Sequence, residues 1–348
     1  MRSELALFEE AGALPAPAPV HTAQPRCDRP RARRGRSSLT IVDLALAHDD
    51  LSGGMREYLA AKAEHARRSG AFTHHIVMPG RRERHIAGLH ELPAIRRRIA
   101  DGQRSPLRVR GLEETLRRTA PDVVLMHERR RAPRSLLRLT EDLGSTLVAV
   151  GHDGADESIP LRRGLHPAFN PGRHVAVRRH VLYAGRLAPS KGVSTLLEAA
   201  SLAGGAWSLR VVGEGPQRDS LRRQAQRLAL GRSVAFVPYV RDRVRLARYY
   251  AEASCVVAPG NAESFGLVAL EAAACGTPVV CCSQAPVAAL LGDLAETFDP
   301  GDGAGLAAAI GRARGRRRDP LAAARLAYEH AWDRVLDAEL RDVERVAG

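Results

Sequence analysis

The chain has 348 residues, enough for two domains of ordinary size, and its 45% hydrophobic content excludes a wholly disordered polypeptide. Aromatic residues make up only 4%, so the core must be built from Leu, Val and Ala. The net charge of +14 is almost all arginine, since Lys62 and Lys191 are the only lysines; it suits anionic partners, but without aromatics to stack on bases it does not make a nucleic-acid binder.

Five cysteines, an odd count with no C-x-x-C spacing, support neither a disulfide framework nor a zinc site. No apolar run approaches the ~20 residues of a spanning helix, and the start lacks the basic-then-apolar layout of a signal peptide. The expectation is a cytoplasmic protein, with peripheral contact to an anionic membrane face as a further expectation.

Residues 1–37 are rich in Pro, Ala and Arg and read as a disordered extension. From residue 38 short β-rich runs alternate with helical patterns. "LTIVDLAL" (39–46) reads as a buried strand, 53–70 as a helix ended by Gly70, and "THHIVMP" (73–79) as a strand. A helix is predicted over 108–119, a strand over 122–127, a helix over 133–144 and a strand over 145–150. A Pro- and Gly-rich linker occupies 159–174. The alternation then resumes, with strands near 180–185, 206–212, 233–238, 254–259, 277–282 and 294–298. Helices fall near 191–203, 216–229, 241–252, 266–275, 285–291 and 303–313, and the chain ends in one or two amphipathic helices. The pattern predicts two α/β halves facing a cleft, divided as 38–175, 176–318 and a helical 319–348 that crosses back to the first domain.

The most informative stretch is "AESFGLVALEAAACGTPVV" (262–280). Glu271 is a lone carboxylate in an apolar helix, and burying it costs several kcal/mol unless it is hydrogen-bonded. It would need a ligand or a neighbouring arginine. Gly266 lets backbone approach a ligand at the helix start, where unpaired amides favour an anion. Arg186 and Lys191 follow one strand and precede a helix, so they would sit on the same rim as a diphosphate pair, fork and point charge. "GEGPQR" lacks the third glycine of a dinucleotide loop and reads as a tight turn with Pro216 opening a helix.

Together Gly185-Arg186-Leu187, Lys191-Gly192, Gly213-Glu214-Gly215-Pro216 and the E-x7-E pair Glu263 and Glu271 resemble the retaining nucleotide-sugar glycosyltransferases of family 4 (glycosyl transferases group 1), closely over 175–300. That resemblance implies a GT-B fold, α/β with two Rossmann-like domains. It implies that Arg186 and Lys191 hold the donor diphosphate, and that Glu263 touches the donor sugar. The backbone of Phe265, Gly266 and Leu267 would meet the phosphates, with Gly185 on the same rim. Glu271 would bind the ribose, and Val240 would lie by the base. In the first half, "HDDLSGGMREYLAA" is similar to the family's first loop, with Gly53 and Gly54 facing the phosphates. His127 corresponds to a histidine near the reacting sugar, and His48 and His152 would line the acceptor side. No metal or other cofactor is implied, and no D-x-D occurs. The segment between His152 and Ile159 is far shorter than the family's, so the first domain is expected to be shortened.

The implied activity is transfer of a hexosyl unit from a nucleoside diphosphate sugar to a glycan or lipid-linked acceptor with retention, in cell-surface glycan or glycolipid synthesis. A non-catalytic or degraded nucleotide-sugar-binding protein, or an epimerase or hydrolase on the same fold, is the alternative. Arg129, Arg130, Arg131 and Arg134, past the strand that ends at His127, suit a phosphorylated acceptor or a solvated helix start.

Overall fold

The computed structural model describes residues 38–46, 53–98, 104–127, 132–151, 158–172, 180–260 and 266–348. They form two compact units, one reaching to Leu161 and taking in Ala338–Gly348, the other Arg162–Asp337.

The first unit contains β1 (Leu39–Leu44), α1 (Gly53–Ser69), β2 (Phe72–Gly80), β3 (Arg84–Ile86), β4 (Leu89–Arg98) and β5 (Arg104–Val109). It continues with α2 (Leu112–Thr119), β6 (Val123–Met126), α3 (Arg134–Leu143), β7 (Thr146–Gly151) and β8 (Ser158–Pro160). The strand order is β3-β4-β2-β1-β6-β7-β8, with β5 pairing β4. The pairings of β1 with β2 and β6, of β2 with β4, and of β7 with β6 and β8 are parallel.

Strand periodicity assigns the two faces of this sheet. Ile41, Val123, Leu125 and Val150 pack with Ala66 of α1. Val343 of α11 (Trp332–Ala347) joins the same face. Val42, Leu44, Val124 and Met126 pack on the other face against Leu116 of α2 and Leu136 of α3. Asp43 stands two residues from Ile41, so it points under α1 and α11, where a carboxylate has no water.

The second unit contains β9 (Val181–Ala184), α4 (Val193–Leu202), β10 (Leu209–Val212), α5 (Arg218–Arg227), β11 (Val234–Val237), α6 (Arg243–Glu252) and β12 (Cys255–Ala258). It ends with α7 (Leu267–Ala274), β13 (Val279–Cys282), α8 (Pro286–Leu291), β14 (Ala295–Phe298), α9 (Gly303–Gly315) and α10 (Pro320–Glu329). The six strands are all parallel, in the order β11-β10-β9-β12-β13-β14. This is the doubly wound arrangement, whose direction of winding reverses between β9 and β12. Local chemistry sets the helix starts. Asp242 accepts from the amides of Val244 and Arg245 to cap α6, and Asp319 caps α10 ahead of Pro320.

Three sequence expectations need correction. The helix expected over 108–119 begins only at Leu112, because residues 104–109 form β5 and Gly111 turns the chain at φ 77°. The stretch from 80 to 107, given no element by its pattern, supplies three strands. Residues 162–172, placed in the first domain by the sequence pattern, fall in the second unit, and of the helical end 319–348, expected to cross back, Ala338–Gly348 belong to the first unit. In the second unit Leu165 bridges to Ala331, and Gly164 lies against the Trp332 ring so closely that a Cβ would sit 2.0 Å from it. The expected extension 1–37 lies outside the described residues.

Candidate functional site

In the second unit the reversal point brings together most of the residues that the sequence singled out and the structure describes. Strands β9 and β12 are parallel neighbours, paired through Val181 with Cys255 and Leu182 with Val256. Their C-terminal loops are therefore adjacent. After β9 the chain turns at Gly185, where the Tyr183 hydroxyl donates to the Arg186 carbonyl at 2.7 Å. Arg186 is exposed, Leu187 is buried beneath it, and Lys191 closes a short 3-10 turn, Pro189–Lys191, before α4.

Glycines let the neighbouring loops close on this one, backbone to backbone. A Cβ at Gly213 would lie 1.8 Å from the Gly185 carbonyl oxygen, and one at Gly215 would lie 2.3 Å from that of Leu187. The Leu187 amide donates to the Glu214 carbonyl at 2.9 Å, and the Gln217 amide to the Leu187 carbonyl at 3.0 Å. "GEGP" is thus a packing turn, as its missing third glycine suggested. From the other side a Cβ at Gly260 would lie 2.7 Å from the Ser190 carbonyl oxygen and 3.2 Å from the Lys191 Cα. Lys191 therefore abuts the start of the segment carrying Glu263 and Phe265, which themselves lie outside the described residues.

Gly266 caps α7 at φ 60°, and a Cβ there would strike Val287 at 2.4 Å. Packing against α8 and a left-handed backbone thus already demand glycine, a reason the sequence did not suggest. The first turn of α7 leaves the amides of Leu267, Val268 and Ala269 without acceptors inside the helix. Val240 is a buried core residue and offers only its backbone to a ligand.

Glu271 is 4% exposed. Two side chains of α6 face it. The Tyr250 hydroxyl donates to Oε2 at 2.8 Å, and the Arg243 guanidinium stands 4.0 Å from Oε1. Burial pushes the carboxyl up to about 7, against the opposing pull of the Tyr250 hydrogen bond and the Arg243 charge.

In the first unit winding reverses between β1 and β6. Gly53 and Gly54 open α1 after β1, and His127 follows β6. The His127 amide donates to the Leu44 carbonyl at 3.1 Å, and its ring is 2% exposed, edge-on to Tyr58. His48 and His152 lie outside the described residues. The surroundings of His127 went unread in the sequence. Its Nε2 is 2.5 Å from Asp43 Oδ1, while Asp43 Oδ2 meets His74 Nε2 at 2.5 Å and Lys62 Nζ at 2.9 Å. Lys62 also meets Glu339 Oε1 of α11 at 2.7 Å, and the Tyr58 hydroxyl donates to that same oxygen at 2.6 Å.

Burial alone would raise Asp43, but the Lys62 charge and the hydrogen bonds of His127 and His74 hold it well below the usual carboxylate range. Burial disfavours the Lys62 cation, and the two carboxylates more than reverse that. The signal was available. Lys62 falls in the buried stripe Met55, Tyr58, Leu59, Lys62, Ala66 of α1, and Glu339 in the stripe Leu336, Glu339, Val343 of α11.

Residues 170–314 match the family model of glycosyl transferases group 1. The D-inositol 3-phosphate glycosyltransferase of Mycolicibacterium vanbaalenii is 34% identical over 224 residues, covering 56% of this chain and 46% of that one. The chain therefore spans about half the length of this curated relative. The GDP-mannose-dependent alpha-(1-6)-phosphatidylinositol dimannoside mannosyltransferase of Mycobacterium tuberculosis is 28% identical over 304 residues, covering 70% and 79%. Among solved structures, a glycosyltransferase from Rickettsia africae superposes with a TM-score of 0.71 at 14% identity, over 89% of this chain and 99% of that one. The two-domain Rossmann-like architecture expected from sequence is thus the one found.

Proposed function

We propose that this chain, whose residues 170–314 are those of a group 1 glycosyl transferase, moves a hexosyl unit from a nucleoside diphosphate sugar to an acceptor hydroxyl with retention of configuration. The observation that carries the reading is the backbone contact of Lys191 with Gly260 at the β9/β12 reversal point, ahead of the α7 N-terminus. Cationic side chains and free helix amides on one rim suit a pyrophosphate.

In the proposed reaction negative charge builds on the departing diphosphate. Arg186 stabilises it through two parallel N–H donors, Lys191 as a point charge, and the first amides of α7 as fixed dipoles. The leaving phosphate oxygen takes the acceptor's proton on the face from which it departs. Glu263 holds the sugar hydroxyls, and Glu271, itself held by the Tyr250 hydroxyl, holds the ribose. At the first unit's own reversal point the residues proposed to act are Gly53, Gly54 and His127. No metal is assigned a part. A glycan or lipid-linked acceptor is proposed, as for the named relative that acts on a phosphatidylinositol dimannoside. Among the described residues no helix is long and apolar enough to cross a membrane.

The test is calorimetric titration with UDP and GDP, followed by turnover assays on a panel of nucleoside diphosphate hexoses. Lys191→Ala should keep the circular dichroism spectrum and lose kcat/KM on the order of 100-fold or more. Near-normal turnover in both Lys191→Ala and Glu263→Ala would refute the assignment. Binding without any release or transfer of sugar would mark a donor-binding protein instead.

A further inference from the structure

The reaction proposed above gives the ionic network under α1 and α11 no role, yet the network reaches the side chain at the end of β6. Four elements converge on Asp43: β1 carries it, α1 brings Tyr58 and Lys62, β2 brings His74, and α11 brings Glu339. Every one of these side chains is buried. Asp43 is ionised, because Lys62 and the histidine hydrogen bonds hold its carboxyl low despite burial.

An ionised carboxylate only accepts hydrogen bonds. The His127 nitrogen facing Asp43 is Nε2, so that nitrogen must carry the proton. In the neutral ring the other nitrogen, Nδ1, is then a bare acceptor. Nδ1 of His127 is buried and has no hydrogen-bond partner among the described residues. Nδ1 of His74 shares that state, but His74 lies within β2 near its start, whereas His127 stands at the C-terminal end of a strand flanking the reversal point, where sheets of this kind receive ligands. A buried acceptor without a donor is costly, and a ligand hydroxyl would satisfy it.

We propose that Asp43 is a positioning residue: it fixes His127 in the Nε2–H tautomer, so that Nδ1 is left as the acceptor for a ligand hydroxyl at the C-terminal end of β6. Lys62 holds Asp43 in place, and Glu339 and Tyr58 hold Lys62. The hydroxyl partner rests on the reading of the chain as a sugar transferase; the tautomer does not.

The experiment uses the full chain with 15N-labelled histidine and long-range 1H–15N correlation spectra, the His127 signals being identified by their loss in His127→Gln. The wild type should show His127 protonated at Nε2 only, with the Nδ1 resonance moving when UDP-glucose or GDP-mannose binds, whichever of the two calorimetry shows to bind. Asp43→Asn should release the ring into a mixture of tautomers and lower kcat at least ~100-fold, with KM for the donor within threefold. An Nδ1–H ring in the wild type would overturn the proposal, and so would an Asp43→Asn protein that keeps both the tautomer and kcat. The wild-type spectrum decides the tautomer even if Asp43→Asn does not fold. If neither nucleotide sugar binds, the transferase reading fails, and the Asp43–His127 relation still stands or falls by that spectrum.

Discussion

The two units share a doubly wound plan and equip its reversal point in opposite ways. In the second, glycines at 192, 213, 215 and 260 let three loops touch through their backbones, and Arg186 and Lys191 lie on one of those loops. In the first, the space beneath the reversal point is filled by a closed set of charged and polar side chains around Asp43. One unit closes its loops backbone to backbone; in the other a buried carboxylate holds two imidazoles, those of His127 and His74. Backbone-built sites need particular residues at particular spacings, whereas a buried ionic set needs only complementary partners, wherever in the chain they come from.

The sharpest way to break this contrast is Lys62→Met, which leaves Asp43 and Glu339 buried without their cation. We expect a loss of about 3–5 kcal/mol in denaturant unfolding of the first unit. A change under 1 kcal/mol would mean that the set is not tightly coupled. Among its described residues the second unit holds a single buried carboxyl, and its signature is a pH slope. Glu271 titrates at about 7 when folded, above its usual value, so the folded protein holds a proton that the unfolded chain releases. Stability should therefore fall by up to about 3 kcal/mol as pH rises from roughly 4.5 to 7, and Glu271→Gln should flatten that part of the profile. Gly213→Ala forces a side chain against the Gly185 carbonyl at φ 150°. It should cost ~1–3 kcal/mol and weaken UDP or GDP binding in calorimetry, while His127 signals stay unchanged. Asp242→Ala removes the cap of α6, the helix that presents Arg243 and Tyr250 to Glu271. About 1 kcal/mol of thermal stability should be lost, with little change in ligand affinity.

The same contrast explains what could be read in advance. Every strand and helix of the second unit through α9 follows from β-rich runs alternating with helical periods, because the central strands β9, β12 and β13 are buried along their whole length. The rim around Arg186, Lys191 and Gly266 was legible through spacing. The β3–β4 hairpin was not. Its two-residue turn uses Ala87 and Gly88 at φ 44° and 87°, where Asn-Gly would have signalled it, and β4 carries Pro93 and a run of arginines. Asp43 is hidden within an apolar strand, and Lys62 enters the sequence reading only as one of two lysines. The question that singled out Glu271, why one carboxylate sits among apolar neighbours, applies equally to Asp43 and Glu339 and would have found both.

Tyr58 and Glu339 share a proton across 281 positions of chain. During synthesis the sheet of the first unit leaves the ribosome early, yet Lys62 lacks its second carboxylate until Glu339 emerges. The half that is translated first is consequently the half that matures last, and until then one cation, Lys62, stands in the buried stripe of α1 with only Asp43 to answer it.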